Sequence, residues 1–141
     1  MTAVTVQTAV TTTPLDVAAH EAFVAHPAAG AVVSFAGVVR DHDGGRSVTR
    51  LVYEAHPSAE EVLAEVAAEI AKDPSVYSLA VSHRVGELAV GDVALAAAVS
   101  TAHRAEAFAL CLRLVDEVKA RLPIWKHQLF VDGTDEWVNS P

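Results

Sequence analysis

The sequence predicts a single α+β domain, and three observations carry that prediction. Short apolar runs of strand length are interleaved with three segments of helical period, without the regular strand–helix alternation of a doubly wound sheet. Breaker residues recur at short intervals along all 141 residues, with no linker, repeat or low-complexity block. The chain is 52% hydrophobic and 20% charged, which gives ample material for one core and argues against disorder or a coiled coil. With 27 alanines and 23 valines, that core is expected to be built from small and β-branched side chains.

The first helix is expected at Thr13-Pro14-Leu15-Asp16, where a capping residue precedes a proline at the first helical position. It buries Leu15, Ala19, Ala22 and Phe23 and stops before Pro27. Residues 31–39 are almost wholly apolar and read as a buried strand. The polar stretch 41–47, with Gly44 and Gly45, reads as a loop, and 48–55 as a second strand. Ser58-Ala59-Glu60-Glu61 has the form of a capping box. The helix after it sets Leu63, Val66, Ala67 and Ile70 on one face and ends at Asp73-Pro74. Strands follow at 76–82 and 92–100, with Gly86 and Gly91 punctuating the link. A long helix runs from about 101 to 122, its apolar positions Phe108, Cys111, Leu112, Val115, Val118 and Leu122 following the helical period. Pro123 ends it, and 124–131 return as a strand before a tail that ends at Pro141.

Charge narrows the function classes. The net charge of −8 argues against general nucleic-acid binding, which needs a basic footprint. The single cysteine, Cys111, excludes an internal disulfide framework and a cysteine-based metal site, and its place on an apolar helix face reads as core. No basic stretch opens the chain, as a secretory signal would, and the uncharged run 22–39 is interrupted by Pro27, Gly30 and Gly37. A cytoplasmic protein is the expectation.

The basic minority is clustered. No Lys or Arg precedes Arg40, and five of the ten lie between Arg104 and Lys126. This points to an anionic ligand; the alternative is a solvated helix face partnered by Glu106, Asp116 and Glu117. His103 and Arg104 follow Ser100-Thr101 at the start of the long helix, where free N–H groups and the helix dipole favour an anion. A cation there makes sense beside a bound phosphate; the alternatives are an arginine that points to solvent and a histidine satisfied in the core. Lys119 falls in the last helical turn, where a cation is electrostatically welcome. Lys126 follows Trp125 on a strand, and a lysine beside apolar surface is a candidate base or nucleophile. Arg40 closes a buried strand at a glycine-containing loop, and Gly37 would permit close backbone approach; both equally fit plain fold chemistry. His83 and Arg84 close another strand and read as structural. Phosphate-binding glycine loops, a nucleophile elbow and zinc-type histidine spacing are all absent from the sequence.

Five blocks then occur in order: FAGVVR at 35–40, LVYEAH at 51–56, HRVGELAVGD at 83–92, STAHRAEAF at 100–108 and KARLPIWK at 119–126. Together, from about Gly30 to Val138, they resemble the large, catalytic subunit of molybdopterin synthase. The resemblance implies an α/β hammerhead fold with an additional small antiparallel sheet. It implies a sulfurtransferase that converts cyclic pyranopterin monophosphate into molybdopterin. The sulfur arrives as a thiocarboxylate on the C-terminal Gly-Gly of a small ubiquitin-like carrier, whose tail enters a pocket of the large subunit. The lysines of the family match Lys119 and Lys126. Its anion-pocket residues match Arg40, His103 and Arg104, and Phe35 matches its aromatic. No metal or organic cofactor is implied for this step.

Cations suit such chemistry, because the substrate carries a phosphate and acyl transfer passes through anionic tetrahedral species. His103 and Lys119 are sixteen residues apart on one expected helix, roughly 24 Å along its axis. A homodimer, within a heterotetramer that includes two carriers, is expected to bring such distant residues together. The sequence departs from the family at Gln128, where W-K-x-E carries an acid, and in a tail that stops three residues after Val138. The chain does not end in Gly-Gly, so the carrier is expected to be a separate protein. A paralogue that binds a phosphorylated ligand or the carrier without turnover, and a structural dimerisation domain, are the alternatives.

Overall fold

The computed structural model describes residues 3–140, with side chains up to Val138. The expected single domain, 1–141, extends past this range at both ends, and Pro141 lies outside the described residues. The fold is α+β, with three helices and two sheets.

The larger layer is a four-stranded sheet in the order β1 (Thr5–Thr11), β5 (Val76–Arg84), β7 (Val93–Thr101), β2 (Ala31–Val38). The pairing of β1 with β5 is parallel and the other two pairings are antiparallel. Side chains alternate between its faces. Leu79, Val81, Leu95, Ala97 and Val99 join the main core with α2 (Ala59–Ala71) and α3 (Arg104–Arg121). Ala80 and Ala98 point the other way, where α1 (Val17–Val24) packs through Val24. The alanine-rich β7 follows from this two-sided burial.

The second sheet is entirely antiparallel: β3 (His42–Asp43), β4 (Arg46–Ala55), β8 (Ile124–Phe130) and β9 (Asp135–Ser140) in that order, with β6 (Gly86–Ala89) also on β4. It is the additional small sheet that the resemblance implies.

Several local expectations change. The first helix starts at Val17, because Asp16 accepts the Ala19 N–H at 3.2 Å and is the cap, while the Thr13 hydroxyl bonds that of Thr11 at 2.9 Å. Its buried residues are His20 and Val24, and Ala19 and Ala22 are exposed. The capping box does not form: the Ser58 hydroxyl bonds His56 Nδ1 at 2.8 Å, although Leu63, Val66, Ala67 and Ile70 are buried as expected. The 41–47 loop is a hairpin, whose two-residue turn uses Gly44 and Gly45 at φ 56° and 78°. The long helix begins at Arg104 because Thr101 still belongs to β7. Its buried face is Ala107, Leu110, Cys111, Leu114, Val115 and Val118. Phe108 and Leu112, expected inside, are 63% and 62% exposed.

Candidate active site

A cavity of about 240 Å³ lies where the two sheets and the end of α3 meet. One row across the larger sheet lines it: His83 on β5 pairs with Leu95 on β7, which pairs with Gly37 on β2. The absent side chain at Gly37 leaves room there. A Cβ at that position would stand 3.2 Å from the Phe35 ring and 3.4 Å from the Leu95 Cβ, so its close neighbours are side chains rather than the backbone expected. The second sheet contributes Tyr53 and Lys126, directly opposed across β4 and β8. Arg40 comes from just beyond β2, after a register shift at Gly37/Val38. Lys119 comes from the last turn of α3.

Arg40, Lys119 and Lys126 therefore converge from three separate elements. Among the described residues, no salt bridge engages either lysine. Three cations line one cavity, in a chain of net charge −8, so positive charge is concentrated there.

Asp43 is the carboxylate beside Arg40 and Lys126. It lines a smaller adjoining hollow of about 60 Å³ with Arg40, Tyr53, Lys126 and Gln128. Gln128 is buried, and its Nε2 donates to Asp43 Oδ2 at 2.6 Å. Arg40 donates to Asp43 Oδ1 at 3.4 Å. The Gln128 hydrogen bond, with the charges of Lys126 and Arg40, holds the Asp43 carboxyl below the usual range. An acid does sit beside residue 128, but it is supplied by the β3 hairpin.

The structure does not bring the remaining expected residues here. His103 caps α3 in extended backbone, with no capping bond from its side chain, and both it and Arg104 are exposed at the far end of the helix. Phe35 lines a separate apolar hollow of about 260 Å³ with Val33, Ser34, Phe108, Cys111, Leu112 and Val115. Burial pushes the Cys111 thiol up to about 11, in keeping with a core residue.

The sequence does not single out Asp43 or Tyr53, and it reads His83 as structural. The signal for His83 is its place in the inward row Leu79-x-Val81-x-His83, which puts a polar group at a core position. Arg84 does play the structural part expected, pairing with Asp92 at 3.3 Å across the β6 turn. Among the described residues, no cluster of His, Cys, Asp or Glu could hold a metal ion. No helix among them is long and apolar enough to cross a membrane.

Comparisons with known proteins place the whole chain in a family. The family model described as MoaE protein matches residues 10–121. A molybdopterin synthase catalytic subunit from Nostoc sp. is 38% identical over 133 residues, covering 93% of this chain and 81% of that protein. The Arabidopsis thaliana catalytic subunit is 37% identical over 120 residues, and the match spans 84% of this chain but 61% of the plant protein. The crystal structure of molybdopterin synthase from Staphylococcus aureus superposes with a TM-score of 0.84 at 33% identity, covering 92% of this chain and 94% of that one. A complex of subunits 1 and 2 of molybdopterin-converting factor from Helicobacter pylori shares the fold, with a TM-score of 0.69 at 19% identity. On the strength of the family match and these relatives, the chain belongs to the MoaE family of molybdopterin synthase catalytic subunits.

Proposed function

We propose that this chain transfers sulfur from the thiocarboxylated C-terminus of a small carrier protein to cyclic pyranopterin monophosphate, forming the molybdopterin dithiolene. The observation that carries the reading is the convergence of Arg40, Lys119 and Lys126 on one cavity. Lys119 is the catalytic cation that works at the thiocarboxylate and the reacting pterin carbons. Lys126 supports it electrostatically or in proton movement, and Arg40 binds the anionic substrate.

His103, Arg104 and Phe35 enter the proposal through a second copy of the chain. Two features support a homodimer. β2 is an edge strand among the described residues, with Val32 and Val38 45% and 49% exposed on it. Beside it, α3 presents Phe108 and Leu112 to solvent next to Val33 and Phe35. A dimer through β2 and α3 covers this face and carries the Arg104 end of one helix towards the Lys119 end of the other. The full assembly has two such chains and two carriers, and each chain acts as one domain over 1–141. The relatives are named as subunits, which supports a separate carrier. We assign the work to the cytoplasm, in keeping with a single, buried free thiol.

The test is turnover with thiocarboxylated carrier and the pterin. Lys119→Ala is expected to lower kcat by at least about 100-fold. Loss of one exposed charge should change stability by less than about 0.5 kcal/mol. Near-normal turnover in the folded variant overturns the assignment.

A further inference from the structure

His83 is 1% exposed at a core-facing position, and it also lines the cationic cavity. Its Nδ1–H donates to the Arg84 carbonyl at 2.7 Å, which fixes the tautomer. Nε2 is then an acceptor, and it is buried without a hydrogen-bond partner among the described residues. A buried acceptor left unmatched is unusual, and its neighbourhood in this cavity is rich in donors.

Two acceptors, Asp43 and His83, lie in this cavity and the hollow adjoining it. Arg40 and Lys126 both act on the Asp43 carboxylate. Lys119 lines the same cavity as His83, and its charge disfavours protonation of the ring. Tyr53 meets the imidazole edge-on, with ring centroids 4.9 Å apart, and fixes its plane.

We infer that His83 is a positioning residue for Lys119, with its Nε2 lone pair accepting a hydrogen bond from the Lys119 ammonium as substrate enters the cavity. The inference rests on the sulfur-transfer reading above and adds a residue to it. A neutral acceptor suits this position physically. A carboxylate would orient the lysine equally well, but it would cancel the positive charge and repel an anionic substrate. Neutral imidazole orients the ammonium and leaves its charge intact. Burial is what keeps the ring neutral.

Two measurements test this, one independent of turnover. In protein labelled with 15N at histidine, Lys119→Met is expected to move the His83 Nε2 resonance, in the presence of the pterin phosphate, and to leave Nδ1 in place. This variant leaves His83 untouched, so it reads the link even if His83 variants fold poorly. An unmoved Nε2 overturns the inference. In turnover, His83→Leu is expected to lower kcat about 10–100-fold with KM for the pterin nearly unchanged. His83→Gln, which keeps an acceptor near the Nε2 position, recovers most of that loss. Equal impairment of folded Leu and Gln variants, or a Leu variant with normal kcat, also overturns it. Absence of turnover in the unaltered protein counts against the sulfur-transfer reading, while the Nε2 resonance still decides whether His83 and Lys119 are linked.

Discussion

Gln128 and Asp43 are eighty-five residues apart in sequence, yet the buried Gln128 amide donates to the Asp43 carboxylate at 2.6 Å. The contact ties the centre of β8 to the β3 hairpin and holds a negative charge beside Arg40 and Lys126. A single acid serves both cations. Had residue 128 been glutamate, as the W-K-x-E pattern carries, two carboxylates would face each other.

That arrangement makes a reciprocal prediction. Gln128→Glu sets two carboxyls in contact, which raises the pKa of the introduced one. Its folded-state value then lies above the unfolded value of about 4.3, so the penalty grows as pH rises above that value and fades below it. A loss of about 1–3 kcal/mol is expected at pH 7. Asp43→Asn alone removes the charge balance, whereas the double variant Asp43→Asn/Gln128→Glu restores one acid and one amide. Urea unfolding of the four proteins should give a coupling energy of about 1–3 kcal/mol. Additive losses would mean that the contact contributes nothing.

Acid sensitivity follows from His83. Desolvation, with the Lys119 charge adding to it, lowers its pKa to about 4, against the hydrogen bond to Arg84, which acts the other way. The folded value lies below the unfolded value of about 6.5, so the unfolded chain takes up the proton first as pH falls. Stability is therefore full above pH 6.5 and is lost as pH drops towards 4, by about 2–3 kcal/mol between pH 7 and 4.5 from this residue. Other groups contribute to the total, so the comparison is with His83→Gln, which lacks that share of the slope. Parallel stability curves for the two proteins would contradict it.

Much of the fold was legible because its signals are local. Leu63, Val66, Ala67 and Ile70 mark the buried face of α2 by spacing alone, and Pro123 ends α3 by removing a donor. Caps were less legible. Thr13 and Ser58 have the right chemistry, but the hydroxyl of Thr11 and the ring of His56 claim them. At the site, Lys119, Lys126 and Arg40 are legible from their positions at a helix end, beside Trp125 and at a strand end, and the KARLPIWK and FAGVVR blocks add to that. Asp43, Tyr53 and His83 join them only through strand register, which depends on pairings across the whole chain. Phe108 and Leu112 fit the helical period as core residues, and a single chain gives no pattern to separate a core face from an interface.

Their exposure predicts how the assembly fails. Phe108→Glu with Leu112→Glu alters side chains that are 63% and 62% exposed in one chain, so the isolated fold should be little affected. Analytical ultracentrifugation is expected to find a dimer for the unaltered protein and a monomer for the double variant. A dimer that survives both changes would locate the contact away from α3.

The last prediction joins the two ends of that helix. α3 spans eighteen residues, Arg104–Arg121, or about 27 Å of axis. Arg104 opens it and Lys119 closes it, so no small pterin phosphate reaches both within one chain. If both act on one substrate, the Arg104 end must come from a second copy, and every pocket then holds Lys119 of one subunit and Arg104 of the other. Lys119→Ala and Arg104→Ala homodimers each lose a residue from both pockets. A heterodimer of the two concentrates both defects in one pocket and leaves the other intact. Random mixing makes about half the dimers heterodimers, each with one working pocket of two, so about a quarter of the original activity should return. Mixed dimers, verified by mass and still inactive, would mean that each pocket is complete within its own chain and that Arg104 serves some other contact.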